Sequence, residues 1–168
     1  VSGMFFGWED ASEPYKVYNN TISLQGLAST GANFSAAGIN MTNYGGGVPI
    51  VDLRNNIVNM GGSPSGTGHM SAVNEFTPGV MSPMSNNNIY YAPNAANSYL
   101  YSDNNGSNSY NLTNDPNFNT TCGLYKGYKA PADGGTFTEN NLISTPGNTF
   151  IPFGSSLAEG TALPLTEV

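Results

Sequence analysis

Val51-Asp52-Leu53-Arg54-Asn55-Asn56-Ile57-Val58 is the stretch on which the reading of the fold turns. A short alternating run is broken by two adjacent asparagines and then resumes. The same pattern stands at Val17-Tyr18-Asn19-Asn20-Thr21-Ile22-Ser23-Leu24 and at Ser85-Asn86-Asn87-Asn88-Ile89-Tyr90-Tyr91, 31 to 36 residues apart. A looser fourth copy, Glu139-Asn140-Asn141-Leu142-Ile143, follows after about 53 residues, room for one degenerate turn near Tyr110-Asn111-Leu112. Self-similarity at such a period is the signature of a repeat architecture. Alternation of apolar and polar residues predicts half-buried strands, bounded by Gly45-Gly46-Gly47, Gly61-Gly62-Ser63-Pro64 and Tyr91-Ala92-Pro93-Asn94. Asparagine tolerates the left-handed backbone region, so the paired Asn interrupt the strand pattern at each recurrence.

Composition agrees. Of 168 residues only 9% are charged, with 4 Lys or Arg against 11 Asp or Glu and a net charge of −7. Four scattered cations cannot neutralise a phosphate backbone or hold an anionic membrane, which excludes nucleic-acid binding and electrostatic membrane attachment. No apolar run approaches the ~20 residues of a membrane-spanning helix. The place of charge is taken by 24 Asn and 21 Gly, which disfavour long helices. The net charge is too low for the length to signal disorder. Cys122 is the single cysteine and His69 the single histidine, so neither an intrachain disulfide nor a four-ligand zinc site can be assembled from them. The chain opens at Val1 without a basic, apolar leader and reads as a processed or partial chain.

Residues 76–102 carry no formal charge. A parallel solenoid suits such a sequence, because stacked strands satisfy backbone groups without salt bridges and stacked Asn amides can hydrogen-bond from coil to coil. The fold expected is all-β, a right-handed parallel β-helix or β-solenoid. The competing architecture is an antiparallel β-sandwich, which also shows short strands and frequent turns but has no need of paired Asn at repeated bends. Residues 1–118 are expected to form the coils. Residues 119–168, with Lys126, Lys129 and Pro-rich joints, are expected to form a cap or an extended linker.

Asn-Asn-Thr-Ile, Leu-Arg-Asn-Asn-Ile-Val and Asn-Asn-Asn-Ile-Tyr-Tyr resemble turns of pectate-lyase-like right-handed parallel β-helix proteins. More closely, they resemble the secreted or cell-surface, Asn-rich members of the Bacteroidetes type. Ser35-Ala36-Ala37-Gly38-Ile39-Asn40-Met41 resembles a further strand of the same coil, and Asn111-Leu112-Thr113-Asn114-Asp115-Pro116-Asn117-Phe118 the Asp-Pro-x-Phe segment that follows the last coils. The resemblance implies that one Asn of each pair stacks on its neighbours and the next relieves the bend. Asn19, Asn55 and Asn87 are on this reading the ladder positions. It also implies an extracellular or cell-surface location and contact with a polysaccharide or surface glycan. Further domains or like subunits would be the protein partners. Sequons at Asn19, Asn33, Asn40, Asn105, Asn111 and Asn119 fit exposure, although chance alone supplies several in so Asn-rich a chain.

Chemistry is sparse. Polysaccharide-cleaving enzymes of this fold class use clustered carboxylates and a basic residue, and Asp52 and Arg54, which share a strand face, are the catalytic candidates; a structural ion pair is the alternative. Tyr90, Tyr91, Tyr99 and Tyr101 are the ligand-binding candidates, because exposed tyrosine rings stack on sugar faces; filling of the coil interior is the alternative. Asp103 and Asn105 place oxygens at alternate positions, as a calcium loop begins, but the later Glu of such a loop is missing and an Asn-Gly turn is the better reading; no other cofactor is indicated. Three functions follow: a non-catalytic stalk, adhesin or carbohydrate-contacting scaffold; a polysaccharide lyase or hydrolase; or a self-assembling filament subunit.

Overall fold

The computed structural model describes residues 1–7, 14–28, 31, 33–42, 50–76, 80–82, 85, 88–92, 96–103, 108–110 and 127–129, with backbone alone at 103, 108–110 and 127–129. The chain winds as a right-handed parallel β-helix. The first coil holds β1 (Ser2–Phe6), β2 (Tyr15–Tyr18) and β3 (Thr21–Ala28); the second holds β5 (Ala36–Met41), β6 (Val51–Arg54) and β7 (Ile57–Ser63). The third holds β9 (Met70–Glu75) and β10 (Asn88–Tyr91), and β11 (Ser98–Asp103) opens a fourth. Equivalent strands pair in parallel. One sheet runs β1-β5-β9-β11, a second pairs β2 with β6, and a third runs β3-β7-β10. Antiparallel pairing among the described residues is confined to two short places. One joins β4 (Asn33–Phe34) to β8 (Ser65–Gly66), and the other lays β12 (Asn108–Tyr110) on β11. The sandwich is thereby replaced by a solenoid.

β13 (Gly127–Lys129) pairs in parallel with β10, so the third sheet continues into the segment expected to cap the coils. The rest of residues 119–168, the fourth Asn-Asn copy and Cys122 lie outside the described residues.

Register explains the core. Ile22, Val58 and Tyr90 stand opposite one another on successive coils, as do Met4, Ile39, Val73 and Tyr101, and Val17 with Leu53. Of these, Ile39, Leu53, Val58, Val73 and Tyr90 are fully buried. Like stacks on like because each coil repeats the alternation of the one before, and burying each Val, Ile or Leu contributes roughly 1.5–3 kcal/mol. The row also explains Gly38. A Cβ there would stand 2.7 Å from the carbonyl oxygen of Ala72 and against the Val58 side chain, so two sheets approach through a position with no side chain.

The Asn pairs make the corners between the second and third sheets, with the order of their roles reversed from expectation. Asn19 and Asn55, the first of each pair, adopt φ of 56° and 54° and turn the chain. The ladder runs through the second. Asn56 Oδ1 accepts the backbone N–H of Asn20 at 3.0 Å and its amide at 3.1 Å. Asn88 Oδ1 accepts the same two groups of Asn56 at 3.0 and 2.8 Å. The ladder is therefore Asn20-Asn56-Asn88 and not Asn19-Asn55-Asn87; Asn87 itself lies outside the described residues. The physical reason is directional. The left-handed residue must come first to swing the chain inward, and only then does the following side chain lie inside the corner, where Asn56 and Asn88 are fully buried.

The coils shorten along the axis. Asn20 and Asn56 are 36 residues apart, Asn56 and Asn88 only 32. In the third coil the strand opposite β6 contracts to a bridge between Val51 and Met81, and the Ser85 hydroxyl accepts the Leu53 N–H at 2.9 Å in place of a backbone carbonyl.

Candidate functional site

Alternation on β6 turns Val51 and Leu53 inward and Asp52 and Arg54 outward, so the two catalytic candidates do share a face. They meet as a bidentate pair. Arg54 Nε donates to Asp52 Oδ1 at 3.0 Å and Nη2 to Oδ2 at 2.7 Å. Tyr18 on the neighbouring coil donates its hydroxyl to Oδ2 at 2.6 Å, and the guanidinium lies 5.2 Å above the Tyr18 ring. The cluster covers Asp52 to 3% exposure. Both carboxylate oxygens are occupied, and the guanidinium is held between a carboxylate and a ring face, a setting that favours its charge.

Glu75 is used in a similar way. Its Oε1 accepts the Met81 N–H at 2.9 Å and its Oε2 the Tyr101 hydroxyl at 2.6 Å, which ties the first sheet to the segment leading to β10. Asp52 and Glu75 are the two carboxylates whose side chains are described. Among the described residues no three of His, Cys, Asp and Glu converge. The Asp103 side chain and Asn105, the calcium candidates, lie outside them.

The four tyrosines divide. Tyr90 is fully buried and Tyr101 is 4% exposed, with its hydroxyl on Glu75. Neither offers a ring face to a ligand, because their register places them in the apolar rows above Val58 and Val73. Tyr91 and Tyr99 are half-buried on the outside. Tyr99 stands beside His69, with ring centroids 6.3 Å apart and planes tilted by 51°.

Around His69 the first sheet carries a feature that sequence reading did not isolate. Phe5, Asn40, Asn74 and Ser102 occupy one register row across four coils. Asn74 donates its amide to Asn40 Oδ1 at 2.8 Å, and Ser102 donates its hydroxyl to Asn74 Oδ1 at 2.8 Å. This is a second polar ladder. Its signal in the sequence is the 34-residue interval between Asn40 and Asn74, which lies between the 36- and 32-residue spacings of the Asn pairs but lacks the doubled letter. Beside it opens a groove of about 190 Å³, lined by Ser35, Ala37, Asn40, His69, Asn74 and Phe76 among others. His69 is anchored by its backbone N–H on Ser35 Oγ at 3.1 Å. Partial burial pushes its imidazole below the ordinary histidine pKa, and a hydrogen bond with the Asn74 side chain opposes that shift.

The fold is that of a β-solenoid, and among the described residues its outward faces carry rows of amide and hydroxyl side chains such as Asn40, Asn74 and Ser102. In comparison with known proteins the chain matches no family model, no curated protein and no solved structure. Of the resemblance drawn from the sequence, the structure bears out the stacked parallel solenoid architecture and nothing finer. Among the described residues no helix is long and apolar enough to cross a membrane.

Proposed function

We propose that the chain is a non-catalytic, extracellular or cell-surface solenoid that serves as a stalk or adhesin-like scaffold and contacts carbohydrate along the outside of its coils. The observation that carries this reading is the use made of Asp52 and Glu75. Acid–base cleavage of a polysaccharide needs a carboxylate or base with a free oxygen or nitrogen facing substrate. Every oxygen of these two carboxylates instead accepts a structural hydrogen bond, and Arg54 is locked on Asp52. The charge-poor, Asn-rich composition supports an exposed, glycan-rich setting.

The test is a turnover assay on neutral and acidic polysaccharides, with and without calcium, reading new chain ends. No release is expected. Release that disappears in Asp52→Asn or Arg54→Ala would overturn the reading and establish an enzyme.

A further inference from the structure

The groove beside His69 combines groups that a sugar ring requires and that the fold leaves unused. Asn40 spends its Oδ1 on the Asn74 amide, which fixes the orientation of its own amide nitrogen. The two N–H groups of that nitrogen make no hydrogen bond among the described residues. The Ser35 hydroxyl accepts the His69 N–H and donates to no described group. Phe76, a residue past the end of β9, is 44% exposed at the groove, an unusual placement for a ring whose backbone N–H is fixed on the Met41 carbonyl at 2.8 Å. An oriented pair of amide donors, a hydroxyl and an exposed aromatic ring within one shallow groove match the hydroxyl edge and the apolar face of a pyranose.

We propose that this groove binds one residue of a neutral glycan, with Asn40 donating to ring hydroxyls and Phe76 stacking on the sugar face. The inference rests on the carbohydrate-contacting reading above and gives it a place that is distinct from Tyr90 and Tyr101. Neutral sugars are favoured over uronic acids because, among the described residues, no Lys or Arg side chain lines the groove to pair with a carboxylate. The groove's size suits a single ring and therefore weak, millimolar affinity, so repeated engagement along a polymer would be needed for retention.

The experiment is calorimetric or NMR titration of the whole chain with soluble neutral oligosaccharides of several linkages and with an oligouronate of equal length. Wild type, Asn40→Asp and Phe76→Ala are compared, each with its thermal midpoint. Asn40→Asp keeps the oxygen that accepts from Asn74 and removes both donors; Phe76→Ala removes an exposed ring and leaves the core intact. At least one neutral oligosaccharide is expected to bind, and each variant to weaken it about tenfold with an unchanged midpoint. Absence of binding by every neutral sugar, affinity unaltered in both variants, or preference for the oligouronate would each overturn the proposal. Chain-end release in the turnover assay is a separate result: it would remove the non-catalytic reading while leaving the titrations to decide the groove.

Discussion

Asn56 accepts two hydrogen bonds from Asn20 through one oxygen and gives both its backbone N–H and its amide to Asn88, while the same amide also reaches the Val17 carbonyl at 2.7 Å. One fully buried side chain therefore joins three coils. A ladder of this kind is stable because each amide's oxygen and nitrogen meet complementary groups above and below, with none left over in a dry corner.

Replacing Asn56 with Ala leaves the Asn20 amide, the Asn88 oxygen and the Val17 carbonyl short of partners inside the corner. The expected loss is about 3 kcal/mol, since each orphaned buried group costs roughly 1–3 kcal/mol and some relax toward water. Asn20→Ala, in the half-buried first coil, is expected to lose only about 1 kcal/mol. Urea unfolding of the two variants checks the difference; equal losses would mean that the ladder is not the feature that holds the corner.

The neighbouring residue tests the division of labour within the pair. Asn55 sits at φ 54°, where glycine is at ease and a β-branched residue is not. Asn55→Gly is expected to change stability by less than about 1 kcal/mol, and Asn55→Val to lower it by about 2 kcal/mol. If the ladder ran through Asn55 the ranking of positions 55 and 56 would invert, with Asn56→Ala the milder change. Denaturation midpoints of the four proteins decide it.

Arg54→Ala strips Asp52 of two charge-assisted hydrogen bonds and leaves a carboxylate of 3% exposure with the Tyr18 hydroxyl and the in-register Lys16 strand position beside it. Removing one partner of a fully buried pair costs roughly 3–5 kcal/mol, but the Arg54 side chain is 19% exposed and water can reach the gap, so about 2 kcal/mol is expected. The double change Asp52→Asn with Arg54→Ala is expected to recover part of that loss, because no charge is then left covered. A double-mutant cycle read by thermal unfolding gives the coupling; a cycle with no coupling would reduce the pair to a surface contact.

These particulars show what a sequence of this kind reveals. The repeat was legible because the Asn pairs are conspicuous letters at the period of a coil. The parallel architecture followed from their recurrence inside strand-like alternation. The order of roles within a pair was not legible, since both residues are Asn and only the backbone angle distinguishes them. Tyr90 and Tyr101 were misplaced as ligand contacts for a related reason. A strand with one bend shifts its inward positions, and without the register a tyrosine in the row of Val58 reads no differently from one outside. Asp52 and Arg54 were legible as neighbours on a face. Tyr18, which completes their cluster from another coil, could only be found once the coils were in register. The Asn40-Asn74-Ser102 row escaped because its third member is not Asn and because single polar residues in a polar chain carry no signal without the period.

His69 supplies a prediction whose sign is fixed by burial. Its folded-state pKa lies below the ordinary value of 6.5, with desolvation the larger cause and the Asn74 hydrogen bond acting against it. Between the folded and unfolded pKa values the unfolded chain therefore binds more protons, and stability rises with pH in that interval. The contribution is fully present above 6.5 and is lost as pH falls from there through the folded-state value. In His69→Gln the thermal midpoint is expected to stay level across that interval where wild type declines. Asn74→Ala, which removes the hydrogen bond favouring the imidazolium, is expected to steepen the wild-type decline. A midpoint that instead rose on acidification, and did so only while His69 was present, would mean that Asn74 outweighs burial and that the groove holds a charged imidazole.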